Sequence, residues 1–477
     1  MAFDSASVEV CGIPGIVAPA LARHYNRVMP FRVVALALCV VLSVSPFAMA
    51  SADGDMPTPL ELAAIWDRTR LPMPPPLLVR HADVVAAIGA MKASAPDLFQ
   101  SEPIGASVEG RSITHLWAGQ GPLHVLLWSQ MHGDEPTATV ALFDVLNYIQ
   151  ANRRAPHVAR LLDRLTLHVV PMLNPDGAEA PQRRNAQGID INRDALLLQT
   201  PEGRTLKALR DRLNPPIGFN LHNQNWRTSV GDTGRPAAMS LLSVAFDEAR
   251  SDNPGRVLTR KVAGIIRDAV EPLAPGMLAR YDDEFEVRAF GDNLTKWGTS
   301  VVLIETGPYP GPDPDRALIR MNFVALLTAL DALATGKADN ADAGRYETLP
   351  LNGSSLLHTL IKGARIVAGT GVAPFVGDIG IGASRVVRQQ DGLRRVGFSA
   401  RIDDLGDLRV FGALETIDAA GLVAAPLWSA LEVGQQVSLP EGRTAGPYIA
   451  PGQPAAIALL KPSGDGRYVV ERIVKVE

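Results

Sequence analysis

The sequence predicts an α/β region, with a mixed, largely parallel sheet carrying helices on both faces, followed by a C-terminal all-β sandwich domain. Three observations predict it. As far as residue 335, near-continuous apolar runs such as "LTLHVVPML" and "TSVVLIET" alternate with helix-like stretches such as "EGRTLKALRDRL" and "RVLTRKVAGIIRDAV". Strands that are apolar throughout belong to sheets covered on both faces. From residue 350, short Val- and Ile-rich runs alternate with Gly, Asp and Pro turns while helical periodicity fades. At 477 residues, 47% hydrophobic and 20% charged, the chain is long enough for two folded units with sizeable cores.

The first fifty residues read as targeting sequence. In "RVVALALCVVLSVSPFAMA", Arg32 precedes an apolar run that ends at Ala48, Met49 and Ala50. That is the charged, apolar, small-x-small order of a secretory signal, with cleavage expected after Ala50 and Met29 as an alternative start. The run is shorter than the about 20 residues a membrane span needs, so no stable membrane insertion is expected after cleavage. A secreted or periplasmic location is therefore expected. Cys11 and Cys39, the two cysteines, both lie in this segment, so the mature chain is expected to hold neither disulfides nor thiolate metal sites. Any metal must be held by His, Asp or Glu. A net charge of −4 offers no general attraction to nucleic acid, and composition assigns no oligomeric state.

Residues 51–335 supply the α/β elements in order. "ADVVAAIGAMKASAPDLF" has helical spacing, and "RSITHLWAGQGPLHVLLWSQ" condenses into a buried strand ending near Trp128. Pro136 stands where a helix can begin, and Val140, Phe143, Leu146 and Ile149 then trace one helical face. A second strand ends at the turn "NPDG", a third, "PIGFNLH", at His222, and a fourth, "TSVVLIET", at Glu305. Residues 336–349 are polar and read as a linker, and residues 350–477 form the all-β domain.

Ligands of open α/β sheets bind beyond the carboxyl ends of the strands. His132, Glu135, His222 and Glu305 all fall at such ends, and Asn174, Asp176, Arg183, Arg184, Asn192 and Arg193 lie in the loop after another strand. A catalytic zinc takes three protein ligands, His₂Glu among the known sets, and keeps one position open. His132 and Glu135 are close enough in sequence to share one ion, and His222 can complete the set. His115, His124 and His168 lie inside apolar strands and read as satisfied core or sheet-edge residues instead.

Six pieces in fixed order, "GASVEGR" (105–111), "HGDE" (132–135), "NPDG" (174–177), "RRNAQGIDINR" (183–193), "NLH" (220–222) and "VVLIETG" (301–307), resemble the M14-type zinc metallocarboxypeptidases. The resemblance spans residues 85 to 335 and implies the fold given above. It also implies zinc held by His132, Glu135 and His222, Asn192 and Arg193 gripping a terminal carboxylate, and Glu305 as general base. Arg184 would polarise the scissile carbonyl, with Arg183 beside it as a further substrate contact or the alternative for that role. The implied activity is hydrolysis of C-terminal peptide bonds, one zinc per chain, on a peptide or small acyl-amino-acid substrate. Asp134 stands where many family members have Arg, which resembles branches acting on small or cell-wall peptides. A zinc-dependent amidase or deacylase of small N-acyl amino acids is therefore the alternative. A non-catalytic peptide- or glycan-binding protein is a third reading, disfavoured by Glu305, since binding alone needs no base. The family's mobile tyrosine has only Tyr281 and Tyr309 as candidates. In the β region, "IKGARIVAGTGVAPFVGDIGI" and "GQPAAIALLKP" resemble the small β-sandwich of amidohydrolases. His358 is that region's only histidine, so a packing or substrate-positioning role is expected there.

Overall fold

The structure, a computed structural model, describes residues 54–369, 371–439 and 448–476; the signal-like segment, with Cys11 and Cys39, lies outside them. Helices α1 (Pro59–Thr69) and α2 (His81–Ser94) precede strands β1 (Phe99–Ala106), β2 (Ser112–Ala118) and β3 (Leu123–Ser129). Next come α3 (Thr137–Ala151), α4 (Pro156–Arg164), β4 (Leu165–Val170), α5 (Pro175–Glu179), α6 (Pro201–Leu213) and β5 (Ile217–Asn223). The short β6 (Ser229–Val230) and β7 (Met239–Ser243) lead to α7 (Pro254–Val270), β8 (Leu278–Arg280), α8 (Phe290–Lys296) and β9 (Ser300–Thr306). The α/β region closes with α9 (Pro314–Thr335) and α10 (Gly344–Glu347).

The principal sheet runs β1-β2-β4-β3-β5-β9-β7-β8. Its centre, β4-β3-β5-β9, is parallel throughout, whereas β1, β2 and β7 join antiparallel. Alternation along each strand sorts side chains to two cores. Val125 and Leu127, Phe219 and Leu221, and Val302 and Ile304 pack with α3, α7 and α9 in the larger core. Leu126, Trp128, Val301 and Leu303 face the other way, into the core closed by α6 and α8. His222 and Glu305 have the parity of that second face and are direct partners across the β5–β9 pair. Among the described residues α9 is the one helix long and apolar enough to cross a membrane, but 89% of its apolar window is buried, as suits a core helix.

The sequence hid two parts of this architecture. The run read as one condensing strand is a pair, β2 and β3, broken where a side chain at Gly119 or Gly121 would collide with the backbone of Arg164 and Leu165. Residues 336–349, expected as a linker, are packed against the α/β region. Ala338, Tyr346 and Leu349 are buried there, and the Tyr346 hydroxyl accepts a hydrogen bond from the Ser243 amide (3.3 Å). Three apolar residues spaced among polar ones suffice to seat the segment on α7 and β7.

The β-rich region consists of β10 (Asn352–Gly353), β11 (Leu356–Ile366), β12 (Phe375–Gln390), β13 (Leu393–Gly406), β14 (Gly412–Asp418), β15 (Val423–Pro426), β16 (Gln436–Ser438), β17 (Ala456–Gly464) and β18 (Arg467–Lys475). All but β10 belong to one hydrogen-bonded sheet, β13-β12-β11-β15-β17-β18-β16, with β14 on β11. The sheet folds back on itself: Arg401 of β13 bridges Pro454, and Ile402 donates its amide to the Gln453 carbonyl (2.9 Å). Its two walls enclose a core that includes Ile361, Ile379, Ile402, Ile457 and Leu459. β10 pairs instead with β6 of the α/β region, and the described residues of both regions fall in one compact unit.

What positions the end of β3 is a close backbone approach. A Cβ on Gly133 would lie 1.9 Å from the Gly177 carbonyl carbon, so the turns "HGDE" and "NPDG" touch through their glycines. Backbone on both sides leaves little room for adjustment. Gly133→Ala should therefore cost about 1–3 kcal/mol, in the range of overpacked interiors, seen as a lowered denaturation midpoint with an unchanged slope. An unshifted midpoint would show that these turns separate freely.

Candidate metal centre

Just past β3, Gln130 takes a left-handed backbone conformation (φ 52°) that non-glycine residues seldom adopt. Such a residue persists only when its surroundings hold it. Here the buried side-chain amide donates to the Gly133 carbonyl (3.0 Å) and accepts from the Thr139 hydroxyl (3.0 Å). The turn closes when the Glu135 amide donates to the His132 carbonyl (3.2 Å), and α3 starts two residues later. His132 and Glu135 are thus fixed by backbone that belongs to neither strand nor helix.

Three groups converge there. His132 Nδ1 lies 2.8 Å from Glu135 Oε1, His222 Nδ1 lies 2.6 Å from Glu135 Oε2, and the two Nδ1 atoms are 3.2 Å apart. Two nitrogens at the usual 2.0–2.1 Å from one tetrahedral zinc would stand roughly 3.3 Å apart. Among the described residues this trio forms a group of His, Cys, Asp or Glu able to share a metal ion, its candidate ligand atoms all within 4.8 Å of one another. The donor set, two imidazoles and a carboxylate without thiolate, suits zinc. The residues fit the ion.

Asp190 was missed at the sequence level. Its Oδ1 lies 3.1 Å from His132 Nε2, and its Oδ2 accepts from Arg183 Nε (2.9 Å). A carboxylate on the far nitrogen fixes the ring and its tautomer and raises its strength as a ligand. The available signal was position: Asp190 stands two residues before Asn192 in the same motif.

The two arginines separate. Arg183 Nη1 donates toward Glu135 Oε1 (3.3 Å) and lies 3.2 Å from His132 Nδ1. Arg184, expected to polarise a carbonyl here, turns away and donates to the Gly188 carbonyl (3.0 Å). The chain bends at these two residues, and of the pair only Arg183 contacts the cluster. The structure gives that position to Arg183.

Asn192 and Arg193 follow on the same loop. The Asn192 side chain accepts the Phe290 amide at the start of α8 (2.8 Å), while Arg193 donates to the Asn192 carbonyl (2.7 Å) and pairs with Glu286 (3.3 Å). Of the two tyrosines, Tyr309 packs against the larger core. Tyr281 is held up above its usual pKa by burial and then by the charges of Glu305 and Glu135, and it hydrogen-bonds Asn352. Tyr281 therefore stands within electrostatic reach of the cluster.

Burial disfavours every charge here, and the neighbours decide which survive. Burial would lower His132, but the carboxylates of Glu135 and Asp190 outweigh it and raise its pKa to about 9. Burial would raise Glu135, yet the two imidazoles hold it well below the carboxylate range. For Glu305, burial and then the charge of Glu135 act together and push it up to about 8. Two carboxyls with opposite shifts divide their tasks: Glu135 stays charged, whereas Glu305 can hold or release a proton near neutrality.

The other histidines show what a satisfied cluster looks like. His115 Nε2 meets His168 Nδ1 (3.0 Å), and His168 Nε2 meets His124 Nδ1 (2.8 Å), with Glu102 closing one end (3.1 Å). Both nitrogens of the central ring are spent on its neighbours, so the three rings form a line and do not converge.

Residues 84–233 match the sequence profile of the family described as zinc carboxypeptidase. "Probable carboxypeptidase 2" of Trichophyton verrucosum is 34% identical over 100 residues, 21% of this chain and 19% of that protein. "Carboxypeptidase M" of Mus musculus is 32% identical over 108 residues, 19% of this chain and 24% of that protein. The chain thus spans less than a quarter of the length of either relative. Among solved structures, the metallo-carboxypeptidase from Burkholderia cenocepacia is 18% identical, with 53% of this chain and 69% of that chain covered and a TM-score of 0.43. The stretch similar to the zinc carboxypeptidase family takes in both histidines and the glutamate of the cluster.

Proposed function

We propose that this chain is an exported zinc metallocarboxypeptidase that hydrolyses the C-terminal bond of peptides. The observation that carries the reading is the adjacency of His222 and Glu305, in register on neighbouring parallel strands, which sets a carboxyl of raised pKa beside the three-ligand cluster. Export is supported by the signal-like sequence ending at Ala50.

Zinc held by His132, Glu135 and His222 would supply Lewis acidity toward the scissile carbonyl and lower the pKa of water. Arg183, already aimed at this cluster, would stabilise negative charge developing on the carbonyl oxygen. Glu305 would accept a proton at its carboxylate and return it to the leaving amine. Asn192 and Arg193 would hold the free C-terminal carboxylate, for which the guanidinium fork is suited. Glu286 occupies that fork now, but the pair is half-exposed and therefore weak, so a substrate carboxylate can displace it.

Three measurements test this reading. His132→Ala and His222→Ala should each lose most of about one zinc per chain, read by elemental analysis of the purified protein. Stoichiometric zinc in both variants would remove the cluster from consideration. Glu305→Gln should keep its zinc and lose at least about 10²-fold in kcat, the ordinary worth of a positioned general base. Full turnover there would assign the proton transfer to Asp134 or Glu284. Finally, a peptide amide should be cut at least about 30-fold less efficiently than the free acid, since a half-made charge-assisted pair costs about 2–5 kcal/mol. Arg193→Ala should narrow that gap, and substrates of increasing acyl length then separate a carboxypeptidase from a deacylase of small N-acyl amino acids. Equal cleavage of acid and amide defeats the carboxylate grip.

A further inference from the structure

The β-rich region reaches the metal centre. A cavity of about 300 Å³ is lined by Glu135 and Arg183 on one side and by Ser384 and Arg385 of β12 on the other, with Trp226 between them. A second cavity, of about 430 Å³, shares Asp134 and Arg385 with the first and continues along the β12–β13 hairpin to Arg388 and Arg394. Both volumes lie in the range of small-ligand sites. The hairpin is anchored where it meets the α/β region. Arg385 makes paired hydrogen bonds to Asp315 at the start of α9 (2.5 and 2.6 Å), and its guanidinium lies 5.6 Å from the Trp226 ring centre. Arg227 pairs with Asp403 of β13 (2.8 Å).

Direction follows from what the groove omits. Asn192, Arg193 and Glu305 line neither cavity, whereas Arg183 lines the first. A substrate gripped by Asn192 and Arg193, with its scissile carbonyl at Arg183, must send its remaining residues away from the grip. The groove opens at Arg183 and leads along the hairpin.

Its far end carries excess positive charge. Arg388 stands directly opposite Arg395 across the hairpin, whereas Arg394 pairs with Gln389 one step nearer the tip, and Arg388 and Arg394 both line the second cavity. Like charges in such positions are unfavourable unless something compensates them. Arg394 Nη1 is buried and has no hydrogen-bond partner among the described residues, and Arg388 donates only to the Phe398 carbonyl in the hydrogen bonds seen. Of the acids beside them, Glu179 is engaged with Arg80 (3.7 Å) and the His81 amide (3.2 Å), and Asp83 accepts the Arg80 amide (2.8 Å).

We propose that the β12–β13 hairpin forms the acyl-side half of the substrate cleft, and that Arg388 and Arg394 select peptides with an acidic side chain upstream of the scissile bond. This rests on the peptidase reading above. The β-rich region is then part of the substrate-binding apparatus, and the preferred substrate is an acidic peptide.

The test scans Glu against Gln through the three residues on the acyl side of one scissile bond and reads the ratio of kcat/KM within each protein. The full chain should favour Glu by about tenfold at one position, the scale of one charge-assisted hydrogen bond. The ratio should fall to about one in the double variant Arg388→Gln/Arg394→Gln and invert in Arg388→Glu/Arg394→Glu. Because it is internal to each protein, partial loss of folded material does not move it. A flat ratio at every position, or a preference that survives the Gln variant, overturns the proposal. If neither peptide is cut, the peptidase reading has failed, and fluorescence anisotropy of the same labelled peptides decides about the groove. Roughly tenfold tighter binding of the Glu peptide, lost in the double Gln variant, upholds it, and equal binding overturns it.

Discussion

Glu135 is a carboxylate buried between two imidazoles, and burying a charge costs several kcal/mol unless partners replace the water it loses. His132 and His222 replace that water at 2.8 and 2.6 Å, and the Asn223 amide adds a third contact at 3.2 Å. These partners arrive on two pieces of chain, the turn after β3 and the end of β5, so the two must be placed closely against each other. The parallel centre of the sheet meets that demand: β3 and β5 are adjacent, β5 and β9 are adjacent, and all three end at the same edge. The strained Gln130 and the glycine-to-glycine contact of two turns complete the placement.

Much of this was legible in the sequence because strand ends are legible. Apolar runs terminating at His222 and Glu305 fix both the edge and the face by period-two parity, without knowledge of strand order. Asp190 had only its place in the motif to mark it, since an acid in a polar loop otherwise looks like any other. Arg183 and Arg184 were indistinguishable for a different reason. Which of two consecutive side chains faces a site depends on a single backbone rotation in a loop, and loop conformation is set by contacts distant in sequence, here Asp190 and Gly188. Strands β7 and β8 escaped because three to five residues are too few for periodicity to show.

The nine histidines illustrate how composition alone misleads. Two of them gather around Glu135 and three line up beside Glu102, both groups in apolar surroundings and both touching a carboxylate. The difference lies in where the free lone pairs point. Around Glu135 the nitrogens meet at one spot, whereas in the His115–His168–His124 chain they are consumed in pairs. Ring identity and spacing are equal to either outcome, and the strand register decides between them.

The pairing of β6 with β10 has a consequence for how such a chain changes over generations. Asn352, on β10, receives the Ser240 hydroxyl (2.7 Å) and hydrogen-bonds Tyr281 beside the metal cluster, so the β-rich region supplies a strand and a side chain to its neighbour. Regions joined by a bare tether can be shuffled between genes as intact cassettes. These two are not so free: a replacement would have to bring an equivalent strand and an equivalent amide. Inheritance should therefore keep them together, with substitutions on either side of the β6–β10 seam tolerated only in matched sets.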